Sequence, residues 1–182
     1  EQRLSDSLTR IQAFLAAQPW PSEVLVVENG SRDRTAEVAA SFAHKMGSLR
    51  VLREVERGKG RAARRGMLAA SGDYRFICDV DLSMPIEQVT RFLPPSQADA
   101  PVVIASREAF GAVRYNEPVH RHWIGRGFNL LVRLLAVPGL HDTQCGFKLF
   151  SREAAEAIFS RTTVDRFAWD VEALLLARKL GF

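Results

Sequence analysis

Residues 23–42 read EVLVVENGSRDRTAEVAASF, and this stretch indicates the fold class of the chain. It begins with a short β-branched run, passes through the polar turn Glu28-Asn29-Gly30-Ser31 and ends in apolar residues at helical spacing. A strand, a turn and a helix in this order are the repeating unit of a parallel sheet that helices cover.

The same alternation continues on both sides of this stretch. Apolar spacing and β-branched runs predict helices at 4–17, 61–70, 128–137, 152–159 and 167–180, strands at 49–52, 74–80 and 102–106, and a loop that runs into a strand over 141–150. We find no repeat and no linker. The pattern predicts an α/β fold with a mostly parallel sheet flanked by helices, in one domain over residues 1–182, with halves of about 1–100 and 101–182.

Composition narrows the class of protein. The chain has 182 residues, 47% hydrophobic and 25% charged, which is typical of one globular domain and argues against disorder. No apolar run reaches the roughly 20 residues that cross a bilayer, and no signal peptide is evident. Cys78 and Cys145 are too few for a disulfide framework and suit a reducing cytoplasm.

The net charge of +4 comes mainly from arginine, because lysine occurs only at 45, 59, 148 and 179. The guanidinium group binds phosphate oxygens in pairs, so this bias favours phosphate recognition. Charge alone leaves open whether the phosphate belongs to nucleic acid, a nucleotide or a lipid, or whether the arginines form a solvated surface.

Two carboxylates, Asp79 and Asp81, follow the strand predicted at 74–80. Ligands of parallel α/β sheets bind beyond the carboxyl ends of the strands, and Glu28 falls at another such end. Mg²⁺ or Mn²⁺ binds one or two carboxylates and completes its shell with phosphate oxygens and water. The alternative is a solvated turn, because a bare D-x-D is common.

Three further segments carry candidate binding groups. Gly58-Lys59-Gly60 opens a helix and suits an anion, although it lacks the spacing of a P-loop. The loop at 142–148 gathers Asp142, Gln144 and Lys148. Arginines at 107, 114, 121 and 126 precede or adjoin the apolar helix predicted at 128–137, which suits an acceptor with a phosphate and a lipid tail. Each has an ordinary structural reading as a turn, a loop or a solvated face.

In combination these segments resemble the family 2 glycosyltransferases, in particular the dolichyl-phosphate glucosyltransferase and mannosyltransferase branch. The resemblance rests on segments in the family's order, VVENGSRDRT (26–35), GKGRAARRGMLAASGDY (58–74), DVDLSMP (79–85), ASR (105–107), DTQCGFKLF (142–150) and RFAWDVEALLLA (166–177). It covers nearly the whole chain. It implies a GT-A type fold that binds a nucleotide-diphospho-sugar.

The resemblance also implies roles for the candidate residues. Asp81, helped by Asp79, would bind Mg²⁺ or Mn²⁺, and Arg107 would bind the acceptor phosphate. Asp142 would act as a base if the acceptor were a hydroxyl, and would otherwise orient its neighbours. The substrate-binding set is completed by Glu28, Asn29, Gly30, Ser31, Lys59, Arg121, Arg126, Gln144 and Lys148.

The implied reaction is inverting transfer of a hexose from UDP-glucose, or next from GDP-mannose, to a polyprenyl phosphate. Such an acceptor implies a peripheral protein at the cytoplasmic face of a membrane, with no nucleic acid as partner and the oligomeric state left open. Asp170 and Glu172 would support the acceptor loop or favour the start of their helix.

The chain departs from the family pattern at several positions. The family has two aspartates where Glu28 and Asn29 stand, and Ser83 stands where some relatives carry a metal-binding glutamine. Family members begin with a strand that ends in a P-x-Y-N-E type motif. The resemblance therefore implies a first strand that precedes Glu1, and a further strand after Phe182.

Two other functions remain open from the residues. A phosphohydrolase of the haloacid dehalogenase type also carries a strand-end D-x-D-x-S/T, which resembles residues 79–83. That class needs its nucleophile near the chain start and a second acidic pair downstream, and we find neither. The third possibility is a catalytically inactive module that binds a membrane surface.

Overall fold

The computed structural model describes residues 1–97, 100–109, 111, 137, 139, 140 and 142–182. Almost all of the helix predicted at 128–137 lies outside these residues, as do Arg114, Arg121 and Arg126. The strands are β1 (Val24–Glu28), β2 (Leu49–Arg53), β3 (Tyr74–Ile77), β4 (Val102–Ile104) and β5 (Lys148–Ser151). The helices are α1 (Gln2–Ala16), α2 (Thr35–Lys45), α3 (Lys59–Ala69), α4 (Arg152–Phe159) and α5 (Trp169–Lys179), and a 3₁₀ helix spans Ile86–Arg91.

The strands form one parallel pair and one antiparallel group. β1 pairs with β2 in parallel, with Val26 opposite Val51. β5 lies between β3 and β4 and is antiparallel to both. The predicted α/β class is confirmed, and β1 and β2 pair in parallel as their sequence pattern indicates. The antiparallel strand comes from the second half of the chain, so both halves contribute to one sheet.

Two helical layers supply most of the core. Aromatic residues of β5, α4 and α5 pack together, with Phe150 and Phe159 ring centroids 5.2 Å apart and Trp169 6.2 Å from Phe159. On the other side, Leu4 and Leu8 of α1 pack on α2 and β2 in a second buried cluster. Within the described residues, no helix combines the length and the apolar character needed to cross a membrane.

The segment that carries the two acids leaves the sheet earlier than the sequence predicts. β3 ends at Ile77, whereas the predicted strand runs to residue 80. The backbone N–H of Leu82 donates to the carbonyl of Asp79 at 3.0 Å, and Leu82 has a φ of 43°. This turn ends the strand, so Asp79 and Asp81 lie on a loop beyond β3.

The aromatic cluster allows a prediction of how much stability is lost when a buried ring is removed. We expect Phe150→Ala to lower the free energy of unfolding by about 3–5 kcal/mol, because Phe150 is fully buried and its neighbours cannot collapse into the space. Urea denaturation followed by circular dichroism measures this. Val55 is 82% exposed, so Val55→Ala is the control and should stay within about 0.5 kcal/mol of the unmodified protein. Equal stability of the two variants would contradict the assignment of this core.

Candidate active site

Asp79 contacts Lys59 beyond the end of β3. The Lys59 ammonium lies 2.7 Å from Oδ1 of Asp79, and the side chains are 54% and 32% exposed. Lys59 is the first residue of α3, so the contact joins the start of this helix to the loop after β3. The structure therefore brings together two predicted site residues, one acidic and one basic, at an edge open to solvent.

Asn29 fixes the loop that leads to Lys59. Its side-chain amide donates to the carbonyl of Glu56 at 2.6 Å, and its Oδ1 accepts from the backbone N–H of Gly58 at 2.7 Å. Nearby, the Arg57 guanidinium donates to the carbonyl of Gly30 at 2.8 Å. Both ends of the Asn29 amide are therefore engaged within the protein, and the turn after β1 is bound to the loop before α3.

A second loop packs against the other side of Gly58 and Gly60. A Cβ on Gly58 would lie 2.2 Å from the carbonyl oxygen of Asp165, and one on Gly60 would lie 2.1 Å from that of Val164. The Glu172 carboxylate accepts from the backbone N–H groups of Thr163 and Val164, at 2.8–3.0 Å, and from the Thr163 hydroxyl at 2.7 Å. Glu172 thus fixes the 163–165 loop. This loop in turn packs against the backbone on both sides of Lys59.

Gly146 lies directly against the Asp79 carboxylate. A Cβ at this position would be 2.0 Å from Asp79 Oδ2, so no side chain fits without displacing the acid. Lys59 contacts one oxygen of Asp79, and the 142–148 loop covers the other. The orientation of Asp79 therefore depends on segments that are far apart in the sequence.

Asp81 is exposed and accepts the backbone N–H of Ser83 at 3.1 Å through Oδ1. Among the described residues, no group of three or more His, Cys, Asp or Glu side chains could hold a metal ion. The chemistry of this donor set, two carboxylates next to open solvent, fits Mg²⁺ or Mn²⁺ that takes its other ligands from phosphate and water. It does not fit a closed protein cage.

The Asp142 carboxylate binds Arg107 through both oxygens. The Arg107 guanidinium donates to Oδ2 at 2.7 Å and to Oδ1 at 2.9 Å, and the backbone N–H of Arg107 adds a bond at 3.0 Å. Burial alone would raise the pKa of Asp142, but the bonds from Arg107 and from the Gln144 N–H outweigh it, and the pKa is lowered. The Arg107 side chain stays 45% exposed while Asp142 is 1% exposed.

Lys148 is fully buried beneath the same loop. Its ammonium donates to the carbonyl of Cys145, lies 3.8 Å from Asp170 Oδ2 and is 5.7 Å from the centre of the Trp169 ring. Burial lowers the pKa of Lys148 and raises that of Asp170. Lys148 is predicted to bind substrate, but in this structure its ammonium is enclosed by protein and supports the loop from within.

The turn after β1 adjoins a cavity of about 540 Å³. The cavity is lined by residues 1–4, Ser31, Thr35 and Val80, so it extends from this turn to the residue between the two acids. The Glu28 carboxylate is 7% exposed and accepts the Ser31 N–H at 2.5 Å.

The cysteines add no charge to the site. Burial raises the pKa of Cys78 to about 12, and the neighbouring Asp79 and Asp81 carboxylates act in the same direction. Burial also raises the pKa of Cys145. Both remain neutral thiols near pH 7, which makes them poor metal ligands and poor nucleophiles.

The structure brings the predicted residues Asn29, Gly30, Lys59 and Asp79 into one cluster and places Arg107 and Asp142 in a second. Gln144 has a buried amide nitrogen without a hydrogen-bond partner in the described part of the chain, as does the Thr143 hydroxyl. Sequence reasoning assigned no site role to Gly146. The sequence predicts that Glu172 supports the acceptor loop or favours the start of its helix; Glu172 lies in the first turn of α5 and binds residues 163 and 164. The Gly146 contact with Asp79 joins segments far apart in the sequence and leaves no local signal, whereas Glu172 binds residues only eight and nine positions before it.

Comparison with known proteins shows which family this chain resembles. Residues 2–159 match the family described as Glycosyl transferase family 2. The chain is 39% identical to the dolichyl-phosphate beta-glucosyltransferase of Drosophila melanogaster, with 99% of this chain and 60% of that protein covered. For the human protein of the same description the identity is 37%, and the coverages are 86% and 51%. Glycosyltransferase AglD of Haloferax volcanii is 33% identical, over 100% of this chain and 29% of that protein.

The Asp142–Arg107 contact predicts a pH dependence of stability. The pKa of Asp142 is lowered in the folded state. Its contribution is therefore present above the unfolded value of about 3.9 and is lost as the pH falls through the lower folded value. We expect Asp142→Asn to cost about 2 kcal/mol at pH 7 and to reduce the loss of stability on acidification.

Urea denaturation between pH 2 and pH 7 tests this. The control is Asp73→Asn, because Asp73 is 85% exposed and forms only a surface ion pair with Arg152. An acid dependence of Asp142→Asn that matches the unmodified protein would show that Arg107 is not bound in this way.

Proposed function

Because the chain belongs to glycosyl transferase family 2, whose members have the GT-A type α/β fold, we propose that it transfers a hexose to a polyprenyl phosphate. Glucose from UDP-glucose is the favoured donor, with GDP-mannose second, since the fly and human relatives are both described as dolichyl-phosphate beta-glucosyltransferases. The chain spans 60% of the length of the fly relative and 51% of that of the human relative.

The observation that carries the proposal is the cluster beyond β3. Asp79 and Asp81 lie on an exposed loop, with Lys59 2.7 Å from Asp79 and the cavity of about 540 Å³ alongside. A nucleotide sugar presents a diphosphate, a base and a sugar. The cluster offers two acids for a metal ion, a cation for phosphate and a cavity for the base.

Asp81 is the first metal ligand in this proposal, because it is exposed and its carboxylate accepts the backbone N–H of Ser83 through one oxygen only. Asp79 is the second ligand. Mg²⁺ or Mn²⁺ bound there would neutralise the charge that develops on the departing diphosphate. Ser31 lines the cavity and Glu28 accepts the Ser31 N–H. We assign both residues to the base and ribose, while Asn29 and Gly30 fix the turn that presents them.

On the acceptor side, Asp142 orients Arg107, and Arg107 binds the acceptor phosphate. A phosphate monoester has a second pKa of about 6 and is largely ionised at pH 7, so it needs little help from a base. The lowered pKa of Asp142 and its two bonds to Arg107 favour this positioning role over proton transfer. Rate acceleration then comes from alignment of donor and acceptor and from charge stabilisation.

Gln144 stays a prediction for substrate binding, although its amide nitrogen is buried in this structure, and Lys148 supports the loop from within. Arg121 and Arg126 stay predictions for the acceptor phosphate. An acceptor with a lipid tail requires the protein to work at a membrane surface, and we place it peripherally at the cytoplasmic face.

Two other functions were open from the residues. The family match leaves the phosphohydrolase without support. An inactive membrane-binding module retains the fold but has no need of a metal ion. Metal-dependent transfer therefore distinguishes an enzyme from such a module.

We expect Asp81→Ala to reduce sugar transfer at least about a hundredfold, because a metal ion supplies several kcal/mol of charge stabilisation. The assay follows transfer from labelled UDP-glucose or GDP-mannose to a polyprenyl phosphate, with Mg²⁺, with Mn²⁺ and with a chelator. Asp73→Ala, at the other end of β3, is the matched control and should retain activity. Transfer that survives the chelator would contradict the metal role, and circular dichroism checks that both variants fold.

We expect Gly146→Ala to reduce transfer at least about tenfold. The new Cβ would lie 2.0 Å from Asp79 Oδ2 and would therefore displace the carboxylate. The matched control is Gly47→Ala, since a Cβ at Gly47 meets nothing within 4 Å. Initial rates and melting temperatures of both variants are compared. Full activity of Gly146→Ala would show that Asp79 need not occupy the observed position.

A further inference from the structure

We infer that Lys59 acts as an internal counter-cation for Asp79, which a divalent ion displaces when the nucleotide-sugar site is filled. The inference rests on the proposed function and adds a regulatory role for Lys59. Lys59 neutralises Asp79 before ligands arrive, and afterwards it moves to the diphosphate. Metal ion and nucleotide then bind with positive coupling. The metal ion releases Lys59 from Asp79, and the diphosphate of the nucleotide binds both the released Lys59 and the metal ion.

The geometry makes Lys59 and a metal ion compete for one atom. The ammonium is 2.7 Å from Asp79 Oδ1. Gly146 approaches the other side of the same carboxylate so closely that no Cβ fits there. Mg²⁺ binds a carboxylate oxygen at about 2.0–2.1 Å, and an ammonium at the observed place would then face a divalent cation at very short range. One of the two cations has to leave.

The Lys59 side chain can reorient from Asp79 towards a bound diphosphate. Its side chain is 54% exposed and extends on a flexible four-carbon stem from the first turn of α3. The start of a helix favours anions, so a diphosphate next to Asp79 would lie within reach of the same ammonium. The lysine can therefore change partner without movement of the backbone.

The backbone that carries Lys59 is fixed from two sides, which makes the ion pair a feature of the tertiary structure. Asn29 binds the loop through Gly58, at 2.7 Å, and through the carbonyl of Glu56, at 2.6 Å. The 163–165 loop, itself bound by Glu172, packs against Gly58 and Gly60. A surface lysine without these contacts would sample many positions, whereas this one is directed at Asp79.

The competition predicts effects of opposite sign for one substitution. In Lys59→Met, the affinity for Mn²⁺ alone should rise about 2- to 5-fold, which corresponds to loss of an exposed ion pair. The affinity for UDP in the presence of Mn²⁺ should fall about tenfold, because a charged partner of the diphosphate is lost. The enhancement of Mn²⁺ binding by UDP should shrink accordingly.

The experiment measures free Mn²⁺ by electron paramagnetic resonance during titration of the protein, with and without UDP. Lys59→Arg keeps the cation and should resemble the unmodified protein. Arg64→Met is the matched control, since Arg64 is an exposed cation of the same helix and its loss removes the same net charge. Arg64→Met should leave Mn²⁺ binding unchanged. Circular dichroism confirms that all variants fold.

Mn²⁺ affinity of Lys59→Met that equals or falls below that of the unmodified protein would overturn the inference and leave the metal site standing. An equal gain in Arg64→Met would overturn it too, because net charge would then explain the effect. An unmodified protein that binds Mn²⁺ neither alone nor with UDP would overturn the proposed function, and the inference with it. The two failures are therefore distinguishable.

Discussion

The ion pair between Asp79 and Lys59 joins the start of α3 to the loop after β3, the two segments around which the rest of the site is arranged. Two like-charged acids beyond a strand repel each other, and a cation between helix α3 and the 79–82 turn reduces this cost. At 2.7 Å the pair brings the start of α3 against the end of β3. The turn after β1 and the 163–165 loop then pack against the same helix start, so widely separated segments define one site.

The buried pair of Lys148 and Asp170 supports the site, although burial costs both side chains their hydration. Lys148 and Asp170 are nearly without exposure and lie 3.8 Å apart, a distance that gives weak compensation for the loss of hydration. The bond from Lys148 to the Cys145 carbonyl fixes the residue next to Gly146. Because Gly146 touches Asp79, the buried pair supports the position of the acid from behind. An apolar pair of similar volume would pack well but would leave that carbonyl without a donor.

Asn29 illustrates how a departure from a family pattern can have a structural reason. The family has an aspartate at this position, which can only accept hydrogen bonds when it is ionised. Here the side chain donates to the Glu56 carbonyl and accepts from the Gly58 N–H. Only an amide satisfies both partners. In this chain the residue therefore joins the turn after β1 to the Lys59 loop.

The sequence by itself determined the order and kind of most elements, the α/β class and the location of acids beyond strands, because periodicity and turn residues act over a few neighbours. Only the tertiary structure decided that β5 lies between β3 and β4, that Lys148 is enclosed, and that Glu172 binds residues 163 and 164. The strand order depends on pairing between segments that are far apart in the sequence, such as Tyr74 with Ser151, and local patterns contain no record of such partners. The Asp79 to Asp81 pair was recognisable from the strand before it, but Lys59 and Gly146, which set its geometry, meet it only in the folded chain.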